Sequence, residues 1–168
     1  QMLVDGDCDL GISAYASTDT RLRCELIRTE PVWAVAAPAV AQRIGSASNF
    51  QQAVRDEPLL AYSLELPLID QWLARNAPGT QPLVPALIGQ DLRSLRSLLC
   101  TGFGWSVLPH YLCAEALADG RLVQIAAPVA ATDLNYYLMW TPAALRQPRV
   151  AHARQTLLWR LTGAQQPD

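Results

Sequence analysis

Apolar residues fall at helical spacing most clearly in one stretch, where Leu92, Leu95, Leu98 and Leu99 share a face of a segment that opens at Asp91. The pattern stops at Gly102, a residue suited to a left-handed C-terminal cap. Beyond it, Trp105 to Leu108 reads as a short buried strand closed by Pro109. A helix running through a glycine turn into a core strand is a joint of the kind that shapes clefts.

The rest of the chain repeats this alternation. Val4 to Cys8 reads as a turn and Asp9 to Ser13 as a short strand. Leu22, Cys24, Leu26 and Arg28 alternate with Arg23, Glu25 and Ile27 as in an amphipathic strand. Pro31 interrupts that strand, and Val32 to Ala36 begins a second with apolar residues on both faces. Ser48 or Asn49 caps a helix from Phe50 to about Arg55, ended by Pro58, and Leu59 to Tyr62 is a buried strand. Pro67 opens a helix with Leu68, Ile69, Trp72 and Leu73 inside, and Leu83 to Ile88 returns as a strand weakened by Pro85. Tyr111 to Ala118 is a helix closed by Asp119-Gly120, and Leu122, Val123 and Ile125 form a strand. Leu134 to Trp140 is the strongest strand signal. Pro148 opens a last helix with Val150, Ala153, Leu157, Leu158 and Leu161 on its core face, and residues 165–168 form a disordered tail.

Strands alternating with short helices predict an α/β fold with mixed, largely parallel sheets. The block from Pro38 to Gly120 can close a small sheet of its own, joined to the rest by strands near Val32–Ala37 and Leu122–Ile125. The expected division is therefore one lobe from 1–31 and 126–164 and a second lobe from 32–125, with a two-strand hinge.

Composition narrows the function. The chain has 168 residues, 51% apolar and 17% charged, with a net charge of −2. That is enough to bury a real core, and the longest apolar run, Val32 to Ala41, is too short to span a bilayer. The basic residues are scattered, so the dense positive patch that phosphate backbones demand is missing. Cys8, Cys24, Cys100 and Cys113 lack CxxC spacing and histidines at ligand distances, which leaves them as buried thiols or, alternatively, a redox switch. No phosphate loop or HExxH motif is present, and the sequence calls for no metal and no cofactor. Cys100 or Cys113 with His110 is the one nucleophile and base pairing to weigh, and it lacks an orienting acid.

Four features in order resemble the effector-binding domain of LysR-type transcriptional regulators, whose fold is shared with periplasmic solute-binding proteins. They are Leu3 to Ile12, with leucine, glycine, then aspartate before apolar residues; Glu30 to Pro38, a crossing strand ending at a proline; Asn49 to Tyr62, a helix, an acidic residue with proline, then a strand; and Leu98 to Ile125. The last contains Thr101-Gly102-Phe103-Gly104-Trp105-Ser106-Val107-Leu108-Pro109 and Asp119-Gly120-Arg121-Leu122-Val123, similar to the family's glycine-x-glycine, leucine-proline and glycine-x-leucine-valine signals. The resemblance runs from residue 3 to 161. Winged helix-turn-helix, linker helix and the opening β-α-β segment of the first lobe have no counterpart, so the chain is expected to be a C-terminal fragment, complete in the second lobe and incomplete in the first.

The resemblance implies a cytoplasmic regulatory domain, not an enzyme, in which a small-molecule effector, a carboxylate or aromatic acid, binds between the lobes. It implies DNA contact only through a separate N-terminal winged helix, no membrane, and self-association in the full-length protein that is weak or altered in the fragment. Strand ends then supply the candidate ligand residues: Ser13, Tyr62, Ser63 and Leu64. Gln90 and Asp91 open the central helix, a start suited to anions, and Trp105 offers an aromatic wall. Each has a competing structural role: Ser13 and Ser63 in turns, Asp91 as a cap, Trp105 in the core. Trp33, Trp72, Trp140 and Trp159 are assigned to packing. A transporter's solute-binding protein is the main alternative, and a thiol hydrolase the lesser one.

Overall fold

The computed structural model describes residues 1–62, 67–80, 82–126 and 132–162. The expected tail at 165–168 lies outside the described residues. The chain divides into two compact units, Gln1–Thr29 with Leu134–Asp168, and Glu30–Asp133.

In the first unit a short helix, α1 (Met2–Asp5), leads to strand β1 (Leu10–Ser13). β1 pairs antiparallel with β7 (Thr132–Trp140), in a register that sets Leu10 opposite Trp140 and Ser13 opposite Tyr137. The first half of β2 (Arg23–Ala36) lies on the other side of β7. Ile27, Leu138 and Trp140 form a core beneath Leu157, Leu158 and Leu161 of the last helix, α7 (Pro148–Thr162). Arg154 of that helix lies over the Trp140 ring, 4.2 Å from its centroid, and its Nη2 donates to Glu25 at 2.8 Å. The guanidinium thus works as packing surface as well as charge.

β2 is one continuous strand, whereas Pro31 was expected to divide it. Proline lacks an N–H to give to a ladder, and Pro31 sits just before the pairing with β5 (Trp105–Pro109) begins at Val32. The missing donor therefore breaks no bond to β5.

The second unit adds a helix that the sequence reading passed over, α2 (Pro38–Gly45), with Pro38 in its first turn and Val40, Ala41 and Ile44 buried. α3 (Phe50–Asp56) follows, capped by Asn49, whose side chain accepts from Gln52 N at 3.1 Å. Then come β3 (Leu60–Ala61), α4 (Pro67–Asn76), β4 (Leu87–Ile88), α5 (Leu92–Cys100), β5, α6 (His110–Ala118) and β6 (Val123–Gln124). Only the end of the expected Leu83–Ile88 strand pairs; Val84 beside Pro85 is 86% exposed.

β3 and β4 pair in parallel, Leu60 opposite Leu87, and a parallel bridge from Leu59 to Trp105 continues toward β5. β2 runs antiparallel to β5 and, from Val35 and Ala36, antiparallel to β6. The strands expected to lie side by side near Val32–Ala37 and Leu122–Ile125 do so. The sheets are mixed as expected, but among the described residues parallel pairing does not predominate, and this corrects the sequence reading. Val35 meets both Ser106 and Gln124, so β5 and β6 occupy opposite edges of β2. The β5–α6–β6 alternation does give two strands of like direction, but β2 is inserted between them and pairs antiparallel with each.

Side chains on the two faces of this sheet meet different helices, because neighbouring strand residues point to opposite sides. Trp105 packs at 5.4 Å on Trp72 of α4, which lies 6.2 Å from Phe50 of α3. Val35, Leu60 and Leu108 meet Leu95 and Leu99 of α5 and Cys113 and Ala116 of α6. Each fully buried Leu or Val contributes about 1.5–3 kcal/mol through burial. Gly104 sets the entry to β5: its φ is +78°, and a Cβ there would fall 2.0 Å from the Pro58 carbonyl oxygen, which accepts from Trp105 N at 2.9 Å.

Candidate functional site

Three strands of the second unit, β4, β3 and β5, run parallel, so their carboxyl ends share one edge. The helix leaving β3 is α4, on the Trp105 face; those leaving β4 and β5 are α5 and α6, on the Leu108 face. In open α/β sheets a crevice forms beyond the carboxyl ends of adjacent strands whose helices depart to opposite faces. Here that condition holds on both sides of β3.

Tyr62 follows β3 directly and is 54% exposed. Beside it, Gly89 N donates to the Ala61 carbonyl at 2.9 Å, which places the exposed Gln90 at the neighbouring strand end. Asp91 caps α5: Oδ1 accepts from Arg93 N at 3.1 Å, and Oδ2 from Ser94 N at 3.1 Å and Ser94 Oγ at 2.6 Å. The Ser94 hydroxyl first, then the two backbone N–H groups, hold this carboxyl below its ordinary pKa. Two of the N–H groups expected to receive an anionic ligand, those of Arg93 and Ser94, are therefore already bonded. The start of α5 presents a fixed carboxylate, which corrects the expectation of a free anion site there.

Trp105 needs a second correction. It has no exposed surface, and its Nε1 donates to the Val54 carbonyl at 3.2 Å. Its position in β5 turns the ring toward α4, so it cannot wall a ligand. Ser13 lies in the first unit, where its Oγ accepts from Tyr15 N at 3.0 Å, the turn role weighed against ligand binding. Ser63 and Leu64 lie outside the described residues. The structure thus gathers Tyr62, Gln90 and Asp91 at one edge.

From sequence, two residues at the same edge carry other expected roles, Trp33 in packing and His110 as the base of a thiol pairing. β2 is antiparallel to β5, so Val32 pairs with Pro109 and Trp33 with Leu108 where β5 ends. His110 opens α6 immediately after Pro109, and its ring meets Trp33 with centroids 4.6 Å apart and planes 60° apart. Both are half-buried. The signal that could have found them is a histidine directly after a strand-ending Leu-Pro, at a strand terminus facing the same way as Tyr62.

Cys113 is fully buried, and burial pushes its pKa up to about 11. Among the described residues no group of three or more His, Cys, Asp or Glu is placed to hold a metal ion, and no helix is long and apolar enough to cross a membrane.

Residues 1–161 match the LysR substrate binding domain. The chain is 32% identical over 155 residues to the HTH-type transcriptional regulator AbaB of Streptomyces antibioticus, covering 90% of this chain and 52% of that protein. It spans about half the length of the curated relatives it matches. The C-terminal domains of a LysR family protein from Agrobacterium tumefaciens superpose with a TM-score of 0.80 at 20% identity, covering 99% of this chain and 79% of that one. Full-length LysG from Corynebacterium glutamicum, solved with its effector Arg bound, gives 0.76 at 17% identity, covering 99% and 55%. At these identities the structural likeness speaks for the fold.

Proposed function

Because the chain belongs to the LysR substrate binding domain family, we propose that it is the effector-sensing part of a LysR-type transcriptional regulator. The observation that carries this reading is the edge around β3, where Tyr62 and Gln90 stand exposed at adjacent parallel strand ends. Such edges take small ligands. The effector is a small carboxylate or aromatic acid, held by the Tyr62 hydroxyl and the Gln90 amide.

The ligand acts by binding one arrangement of the regulator better than another, since equal affinity shifts nothing. A separate winged helix makes the DNA contact, and the full-length protein works in the cytoplasm as a self-associating regulator. The domain senses rather than catalyses, a role that the regulator relatives support; Cys113, buried with its pKa raised to about 11, is a poor nucleophile. The curated relatives are regulators, which supports this role over that of a transporter's solute-binding protein.

Thermal unfolding of the chain with small acids and aromatics tests the reading. A ligand at about a hundred times its Kd adds about 2.7 kcal/mol of stability. A rise in Tm that disappears in the Tyr62→Ala/Gln90→Ala double variant is expected; a rise that survives in the variant overturns the assignment of the edge.

A further inference from the structure

We infer that Trp33 and His110 form the ligand-facing aromatic wall at this edge, and that the effector therefore carries an aromatic ring. The inference rests on the effector-sensing reading and specifies the ligand of the same site.

The crevice condition is met twice at β3, once toward β4 and once toward β5. Gln90 and Asp91 occupy the β4 side, with Asp91 held as an ionised cap. The β5 side ends in Pro109 and His110, with Trp33 of β2 one strand further along. Tyr62, His110 and Trp33 thus follow one another at successive strand ends, with His110 and Trp33 in ring contact. Three aromatic rings stand on this side, two of them already in edge contact, and all three keep exposed surface.

A flat ring is the ligand group that such a surface prefers. Ring against ring adds about 0.5–1.5 kcal/mol beyond the area buried, and a saturated group of equal size gains only the area. Trp105, the tryptophan that the sequence offered for this task, is occupied in the core. Trp33 differs because its antiparallel strand brings it to the carboxyl edge, where the β5 ladder stops at Val32 and Pro109.

Two sets of probes test the inference by calorimetry and thermal shift: benzoate, 4-hydroxybenzoate, indole-3-acetate and L-tryptophan against cyclohexanecarboxylate, adipate, L-lysine and L-arginine. The expected result is that the aromatic set contains the tightest ligand, preferred over its saturated counterpart by about two- to tenfold. Trp33→Leu and His110→Leu each reduce that preference toward unity, and Trp105→Phe leaves it in place. Because Trp33 also packs on the core, Trp33→Phe serves as a second variant: it retains a ring and the preference, and it abolishes any ligand-induced quenching due to Trp33. Binding confined to the aliphatic set, or a preference unchanged in Trp33→Leu and His110→Leu, overturns the aromatic wall and leaves the effector-sensing reading standing. Absence of binding by every probe counts against both.

Discussion

Ser106 Oγ donates to the backbone carbonyl of Leu60 at 2.7 Å, and both residues are buried. The bond ties β5 to β3 one residue beyond the Leu59–Trp105 bridge. It is a side-chain stitch where the ladder itself is a single bridge.

Ser106→Ala removes that stitch and leaves the buried Leu60 carbonyl without this donor. The expected loss is about 1–2 kcal/mol in urea unfolding. Probe binding at the Tyr62 edge should weaken as well, because β3 and β5 hold Tyr62 and His110 in place; Tyr62→Phe, by comparison, should weaken binding with stability unchanged.

Gly104→Ala is the severe substitution. A methyl group would fall on the Pro58 carbonyl oxygen, and the φ of +78° is one that residues with a Cβ rarely adopt. A loss of at least about 3 kcal/mol is expected, read as a lower urea midpoint or as failure to accumulate soluble chain. Gly102 has nothing within 4 Å of an added Cβ, although its φ is +86°. Gly102→Ala should therefore cost less, about 1 kcal/mol.

Asp91 makes stability depend on acid. Its folded pKa lies below that of the unfolded chain, so its contribution is present above the unfolded value, near 3.9, and disappears as pH falls through the lower folded one. Asp91→Ala should be less stable than the parent at pH 7, and the gap should close as pH drops below about 4. Melting curves collected at both pH values measure this directly.

Thiol reactivity should separate the cysteines. Cys24 is exposed and Cys113 is buried with its pKa raised to about 11. Iodoacetamide at pH 7.5 should alkylate Cys24 in the folded chain and reach Cys113 only after denaturant is added, as read by peptide mass spectrometry. Native alkylation of Cys113 at the rate of Cys24 would place that thiol in a far more open environment.

Local features were the most legible in sequence. Leu95 and Leu99 are buried, Asp91 caps the helix, and Gly102 and Phe103 close it by donating to the Leu99 and Leu98 carbonyls at 3.0 and 3.2 Å. Each depends on residues within a few positions of one another. α2 escaped notice because the alanines and valines of Val32–Ala41 look alike in strand and helix, and only Pro38 marks the change. Pairing direction was less accessible, since the insertion of β2 between β5 and β6 is a property of chain order in space.

At the candidate site, Tyr62 and Gln90 could be read from their places after apolar runs. The exchange of Trp105 for Trp33 could not. Each tryptophan sits in an apolar strand, and what separates them is which helix covers one and where the ladder ends for the other.

The position of β2 also bears on the order in which the chain can satisfy itself. Val32 to Ala36 are synthesised well before their partners in β5 and β6, which follow about seventy and ninety residues later. Until then the nascent chain carries an apolar strand with both edges open, the form most prone to pair with a neighbour. A chain stopped before Trp105 keeps that strand unpaired for good and is expected to aggregate, whereas one extending past Gln124 can close both edges. The strand that anchors the finished sheet is thus the principal hazard of the unfinished one.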